Sequence, residues 1–182
     1  MSHTPAPVPA TTALSTAATP ADPRELRNAM GRFATGVCVV TTATADGRAA
    51  GLTVNSFSSV SLDPPLVAWC LGRHAPSMAA FAAADCFAVH VLSADQQHIA
   101  QHFARPSDNK FAAVEDQLAV GHGNVPVLTE ALARFECRKF AMTDCGDHVM
   151  MIGQVERFGY SSRPPLLFHA GRFIAPAEPV AG

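Results

Sequence analysis

Val37-Cys-Val-Val-Thr-Thr-Ala-Thr44 is rich in β-branched residues. Asp46-Gly47 follows it, and Ala49-Ala-Gly-Leu-Thr-Val-Asn55 comes next. Val and Thr fit a pleated, half-buried surface. Asp-Gly between two such runs is a strong short-range hairpin signal. The stretch therefore predicts two antiparallel strands joined by a tight turn. Downstream, Phe57–Ser61 reads as a short extended piece ended by Asp63-Pro64-Pro65. Leu66–Leu71 reads as a buried strand, and Cys86–Leu92 as another strand. Ala133–Arg138 alternates apolar Ala133, Phe135 and Cys137 with polar Arg134, Glu136 and Arg138, the pattern of a half-solvated strand. Val149–Phe158 is a long strand after Gly146, and Leu166–Phe168 and Arg172–Ile174 flank Gly171.

Helices are few. Asp22 can cap one, with Pro23 at its first position and Glu25 placed for a capping box. Leu26, Met30 and Phe33 then share a face. Ala75–Ala84 is helix-like, and Ala94–Arg105 carries Ile99 and Phe103 at i, i+4. Pro106–Lys110 is a polar loop. Strands do not alternate strictly with helices, which disfavours a doubly wound parallel sheet. The expectation is a mostly β protein, an antiparallel barrel with peripheral helices.

The chain has 182 residues, enough for one domain with a real core. Seventeen of residues 1–22 are Ala, Thr, Pro or Ser, so this segment is expected to be a disordered tail. Residues 23–175 form the expected domain, and 176–182 a flexible end. Thirteen Lys+Arg face fifteen Asp+Glu. Without a basic excess, nucleic-acid binding is not expected. The apolar runs fall short of the ~18 residues of a membrane span, and a cytoplasmic protein is expected. Cys38, Cys70, Cys86, Cys137 and Cys145 are odd in number and form no C-x-x-C pair. Most lie in apolar runs, so they are expected to be buried free thiols in a reducing compartment.

No G-x-G-x-x-G follows a strand, and Walker A and G-x-S-x-G motifs are absent from the sequence. Gly121-His122-Gly123 reads as a plain turn. His98 and His102 share a helix face, but no carboxylate of the H-E-x-x-H type lies between them, and they read as ordinary polar positions. The segment Gly51–Leu66 packs Thr53, Asn55, Ser56, Ser58, Ser59 and Ser61 into nine positions. Such a cluster can bind a phosphate or the polar edge of a heterocycle, or can simply be a Ser/Thr-rich turn. Arg73 and Ser77 stand near a predicted helix start, where a monophosphate fits, or Arg73 is a plain loop arginine. Asp144 and His148 frame Cys145-Gly146-Asp147 at a strand start, where Gly146 permits a tight turn.

Four segments in this order resemble the flavin reductase domain, the small reductase component of two-component flavin-dependent monooxygenases. They are Met30-Gly-Arg-Phe-Ala-Thr-Gly-Val37, Leu52–Leu66, Gly146-Asp147-His148 and Pro165-Leu-Leu-Phe-His-Ala-Gly-Arg-Phe173. The resemblance covers roughly residues 24–175. It implies an FMN-binding split β-barrel, usually a homodimer, in which NADH or NADPH reduces FMN or FAD for a partner monooxygenase. Thr53, Asn55, Ser56 and Ser58, with their neighbours Val54 and Ser59, match the loop that holds the flavin. Cys70 and Leu71 match the strand end beside its ring, Arg73 and Ser77 the loop near its phosphate, Thr35 and Gly36 an N-terminal contact strip, and Lys110 and Phe111 a contact after the long helix. Gly146, Asp147 and His148 match the triplet associated with the nicotinamide nucleotide. Hydride transfer between two cofactors obliges no protein acid or base, and His148 is the one candidate for a catalytic role. A non-catalytic flavin carrier on the same fold, or a pyridoxine-type split-barrel oxidase, are the alternatives; the oxidase would want more cations than Arg73 supplies. Phe168 and Phe173 stand where tyrosine is frequent in the family.

Overall fold

The computed structural model describes residues 22–107 and 109–176. The expected tails lie outside these residues apart from Asp22 and Pro176, as does Asp108 in the loop before Lys110. The helices are α1 (Pro23–Met30), α2 (Met78–Ala83) and α3 (Gln97–Ala104). The strands are β1 (Thr35–Gly36), β2 (Cys38–Ala43), β3 (Ala49–Val54), β4 (Ser58–Leu62), β5 (Pro65–Gly72), β6 (Cys86–Val91), β7 (Leu118–Val120), β8 (Pro126–Leu128), β9 (Ala133–Cys145), β10 (His148–Tyr160), β11 (Leu167–His169) and β12 (Arg172–Ile174).

The principal sheet is antiparallel, in the order β3-β2-β6-β9-β10-β5-β4. Its two edges, β3 and β4, are consecutive in sequence and joined by residues 55–57 alone. In a flat seven-stranded sheet the edges would lie roughly 29 Å apart. A chain of four Cα steps reaches at most about 14 Å. The sheet must therefore roll until its edges approach, although no ladder joins β3 to β4: it is a split barrel. The roll encloses Trp69 of β5, fully buried, whose ring meets Phe81 of α2 at 5.0 Å and Phe87 of β6 at 5.8 Å. Burying rings of this size contributes about 1.5–3 kcal/mol each.

The opening hairpin forms as its residues dictate. Cys38 pairs with Val54 and Ala43 with Ala49, and Gly47 takes φ +81° in the turn. A second core lies between the barrel and α3, where Ile99 and Phe103 pack with Val37, Val39 and Leu128. β1, β11 and β12 form a separate small sheet beside it.

Several expectations need correction. α2 begins at Met78 rather than Ala75, because Ala75 and Met78 take up turn hydrogen bonds to Gly72 O and Ala75 O. The helix before Arg105 opens as a 3₁₀ turn over Ala94–Gln96, capped reciprocally by Ser93 and Gln96. Glu25 hydrogen-bonds Asn28 instead of closing a box on Asp22, whose carboxylate alone caps α1. Glu136 is buried, not solvated: it pairs with Arg134 at 3.1 Å and accepts from His122 N–H at 2.6 Å. Gly121 is correspondingly more than a turn residue, since a Cβ there would stand 2.9 Å from Glu136 Oε2. All five cysteines are free, but only Cys38 and Cys137 are buried, and burial pushes both thiols up to about 12. Cys145 is exposed at the end of β9.

Candidate functional site

The expected flavin residues divide between two clefts and a seam. The first cleft, about 520 Å³, lies between β3, α2 and the chain after α3, and Thr53, Ser77, Lys110 and Phe111 line it. Lys110 Nζ donates to Gly51 O (3.1 Å) and Phe103 O (2.8 Å). An ammonium has three donors, so one remains. Partial burial holds its pKa below the ordinary lysine value. Phe111 packs edge-on against Phe103 at 5.4 Å and forms the apolar wall. Gly51 keeps that wall close: an added Cβ would meet Phe103 at 2.9 Å. Thr53 Oγ1 donates to Ala100 O at 2.7 Å, tying β3 to α3. The cleft also contains Arg48 and Ser107, which the sequence did not single out. Arg48 was legible in principle, since it follows the Asp46-Gly47 turn onto the start of β3.

The second cleft, about 680 Å³, opens between α1 and the β11–β12 turn and is lined by Thr35, Asn55, Phe168 and Arg32, among others. Thr35 Oγ1 is buried here with no hydrogen-bond partner. A buried hydroxyl without a partner costs about 1–3 kcal/mol, so it suits a ligand that brings one. The amide of Asn55 and this hydroxyl fit the polar edge of a flavin ring, and the Lys110 cation fits a phosphate. Gly36 lies beside Thr35 in β1, paired with Leu167.

Between the clefts runs the seam of the barrel. Ser56 Oγ accepts from Cys70 N–H at 2.9 Å, where β4 has not yet begun to pair with β5. Desolvation raises the Cys70 thiol pKa. Ser58 and Ser59 are exposed on β4. Val54 and Leu71 correct the sequence reading as side-chain contacts: both face the barrel core, and only their backbone is left to offer a ligand.

At the end of β5, His148 pairs with Gly72. Its Nε2 lies 3.9 Å from where a Cβ on Gly72 would stand, and its Nδ1 is 2.7 Å from Asp147 Oδ1. That hydrogen bond lowers the Asp147 pKa. Gly146 takes φ +61° in the two-residue turn between Cys145 and His148. Arg73 spends two of its five guanidinium N–H groups on the β9–β10 turn: Nη1 pairs with Asp144 (3.0 Å) and Nε donates to Gly146 O (2.7 Å). Ser77 stands before α2 without capping it. His98 and His102 turn to separate carbonyls, Asp95 O and Lys110 O.

A split antiparallel barrel with clefts along its seam is the architecture of a small ligand-binding barrel. Residues 30–176 match the flavin reductase like domain, and the chain belongs to that family. It is 46% identical over 150 residues to an FMN reductase (NADH), SmoA, of Agrobacterium fabrum, covering 82% of this chain and 84% of that one. The reductase component of a flavin-dependent trigonelline monooxygenase from Acinetobacter baylyi is 39% identical over 155 residues, which are 85% of this chain but 49% of that one. Among solved structures, the Streptomyces globisporus NADH:FAD oxidoreductase SgcE6 in complex with NAD and FAD fragments has a TM-score of 0.85 at 36% identity, covering 92% of this chain and all of that one.

Proposed function

We propose that this chain is an NAD(P)H:flavin oxidoreductase that reduces FMN or FAD for a partner monooxygenase. The observation that carries this reading is the end of β5. The Ser56 segment meets that strand at Cys70, and the Gly146–His148 turn meets it at Gly72. Two residues along a strand are about 7 Å. When bound, the nicotinamide nucleotide gives a hydride and the flavin accepts it with a proton from solvent. The residues present would bind, orient and shield: Thr35 and Asn55 the ring, Lys110 the phosphate, His148 the nucleotide. Holding two ring systems in register supplies rate through proximity.

A homodimer and a cytoplasmic location belong to the same proposal. Met30 and Phe33 are 67% and 77% exposed beside the second cleft, an apolar face suited to a second copy. No helix among the described residues is long and apolar enough to cross a membrane. The test is NADH and NADPH oxidation at 340 nm with FMN, FAD and riboflavin in turn. Turnover with at least one flavin is expected. Retention of a yellow flavin without nucleotide oxidation would identify a carrier instead.

A further inference from the structure

Three groups of Arg73 reach the β9–β10 turn. Its backbone N–H donates to Asp147 O at 3.0 Å, Nε donates to Gly146 O at 2.7 Å, and Nη1 pairs with the Asp144 carboxylate at 3.0 Å. Gly146 and Asp147 are the whole of the turn, because Cys145 pairs with His148. Both turn carbonyls are therefore taken by one residue of β5's extension. Exposed ion pairs contribute little alone, and Asp144 is 76% exposed. The arrangement matters for geometry instead. A glycine with positive φ and open space around it gives a flexible tip, and no atom lies within 4 Å of a Cβ built on Gly146. The bonds from Arg73 take away that freedom.

What the tip carries is His148. Asp147 accepts from Nδ1–H, so in the neutral ring Nε2 is left as an acceptor lying against Gly72, the residue before Arg73. An acceptor there matches the amide N–H of a nicotinamide carboxamide. We propose that Arg73 is a positioning residue: it holds the Gly146–Asp147 turn so that His148 Nε2 is presented at the end of β5, and it binds no phosphate itself. The proposal rests on the reading that His148 meets the nicotinamide nucleotide.

The test compares Arg73→Gln, Arg73→Lys, His148→Ala and the double variant Arg73→Gln/His148→Ala. KM and kcat for NADH are measured, with Kd for FMN and riboflavin by fluorescence quenching. Arg73→Gln is expected to raise KM for NADH about fivefold, with both flavin affinities within about twofold. Arg73→Lys keeps the charge opposite Asp144 but loses the Nε bond to Gly146 O, and an intermediate KM is expected. The double variant is expected to be no worse than His148→Ala, because a residue that acts through another is non-additive with it. Selective loss of FMN over riboflavin in Arg73→Gln would make Arg73 a phosphate ligand and overturn the proposal. Full additivity with His148→Ala would make it a direct nucleotide contact, with the same consequence. An unchanged KM in Arg73→Gln beside a raised one in His148→Ala overturns the positioning role and leaves the nucleotide site standing. Unchanged nucleotide kinetics in His148→Ala overturn that site and the proposal with it.

Discussion

Gly153 of β10 stands against the ring of Phe87 on β6: a Cβ on Gly153 would lie 2.3 Å from Phe87 Cζ. The register of β9 and β10 shifts beside this position, between Ile152 and Gly153, so that Phe140 is passed over and points to solvent. Phe87 cannot swing away freely, because its ring is also packed edge-on with Trp69 at 5.8 Å. Gly153→Ala is therefore expected to cost about 1–3 kcal/mol by overpacking. Thermal unfolding would measure it. An unchanged Tm would mean that the Phe87 ring has room that this packing denies it.

Acid should destabilise the fold through His90. This side chain is fully buried, with Nδ1 3.0 Å from Val39 O and Nε2 accepting from Leu128 N–H at 3.2 Å. Both contacts together require the neutral ring, with its proton on Nδ1. Burial pulls the His90 pKa down to about 4. In the unfolded chain it returns to its ordinary value of about 6.5. Between these values the unfolded chain binds a proton that the folded chain refuses. Stability is then complete above about pH 6.5, falls as pH drops towards 4 and levels off below, a loss on the order of 3 kcal/mol. The lowered carboxylates Asp46, Asp95 and Asp147 titrate beneath this window. Urea unfolding between pH 7 and pH 4 should show the slope, and His90→Gln should flatten it while lowering stability overall.

Most of the fold was legible in the sequence, because hairpin signals and β-branched runs act locally. The turn at Asp46-Gly47 and the strands on either side of it needed nothing from the rest of the chain. The strand pattern pointed to a barrel, but where it splits was legible only through family resemblance: nothing local in residues 55–57 says that they bridge opposite edges of a sheet. The burial of Glu136 was missed for a similar reason. Its alternation with Phe135 and Cys137 is that of a solvated position; Arg134, two residues back on the same strand, pairs with it, but the His122 N–H that completes its burial comes from a separate loop. At the site, residue types indicated polar binding, but spacing could not reveal that Arg73 is engaged by Asp144, 71 positions later.

The β11–β12 turn offers a stabilising change. His169 pairs with Arg172, and both intervening residues have positive φ, Ala170 at +48° and Gly171 at +77°. This is the signature of a type I′ hairpin, for which Asn-Gly is preferred. An alanine in the left-handed region costs about 1 kcal/mol. Ala170→Asn is expected to recover about 0.5–1 kcal/mol, seen as a rise of a few degrees in Tm. A fall would show that the Ala170 methyl fills space an amide cannot enter.

Association should depend on the end of α1. Leu26 is more than a third exposed, and Met30 and Phe33 are more exposed still, a poor arrangement for a helix facing water. If this face meets a second copy, Phe33→Asp places a charge in an apolar interface. Light scattering at micromolar concentration is expected to give a mass near twice 19.1 kDa for the parent, and a shift towards one chain for the variant. A parent that is already monomeric would remove the dimer.

The two clefts should answer to different parts of the flavin. Asn55 and the unpartnered Thr35 hydroxyl line one, and the Lys110 ammonium with its unused N–H lines the other. A neutral amide suits the polar edge of the ring, which FMN and riboflavin share. A cation suits the phosphate, which riboflavin lacks. Asn55→Leu is therefore expected to weaken both ligands about tenfold, or about 1.4 kcal/mol. Lys110→Met is expected to weaken FMN by a similar factor while riboflavin changes less than about threefold. The methionine also leaves Gly51 O and Phe103 O without their donor, so Tm must be recorded for each variant. Flavin titration by fluorescence quenching reads both affinities. Equal losses of FMN and riboflavin in Lys110→Met would show that Lys110 only braces β3 against α3, and the phosphate would have to be sought at Arg48 or Ser107.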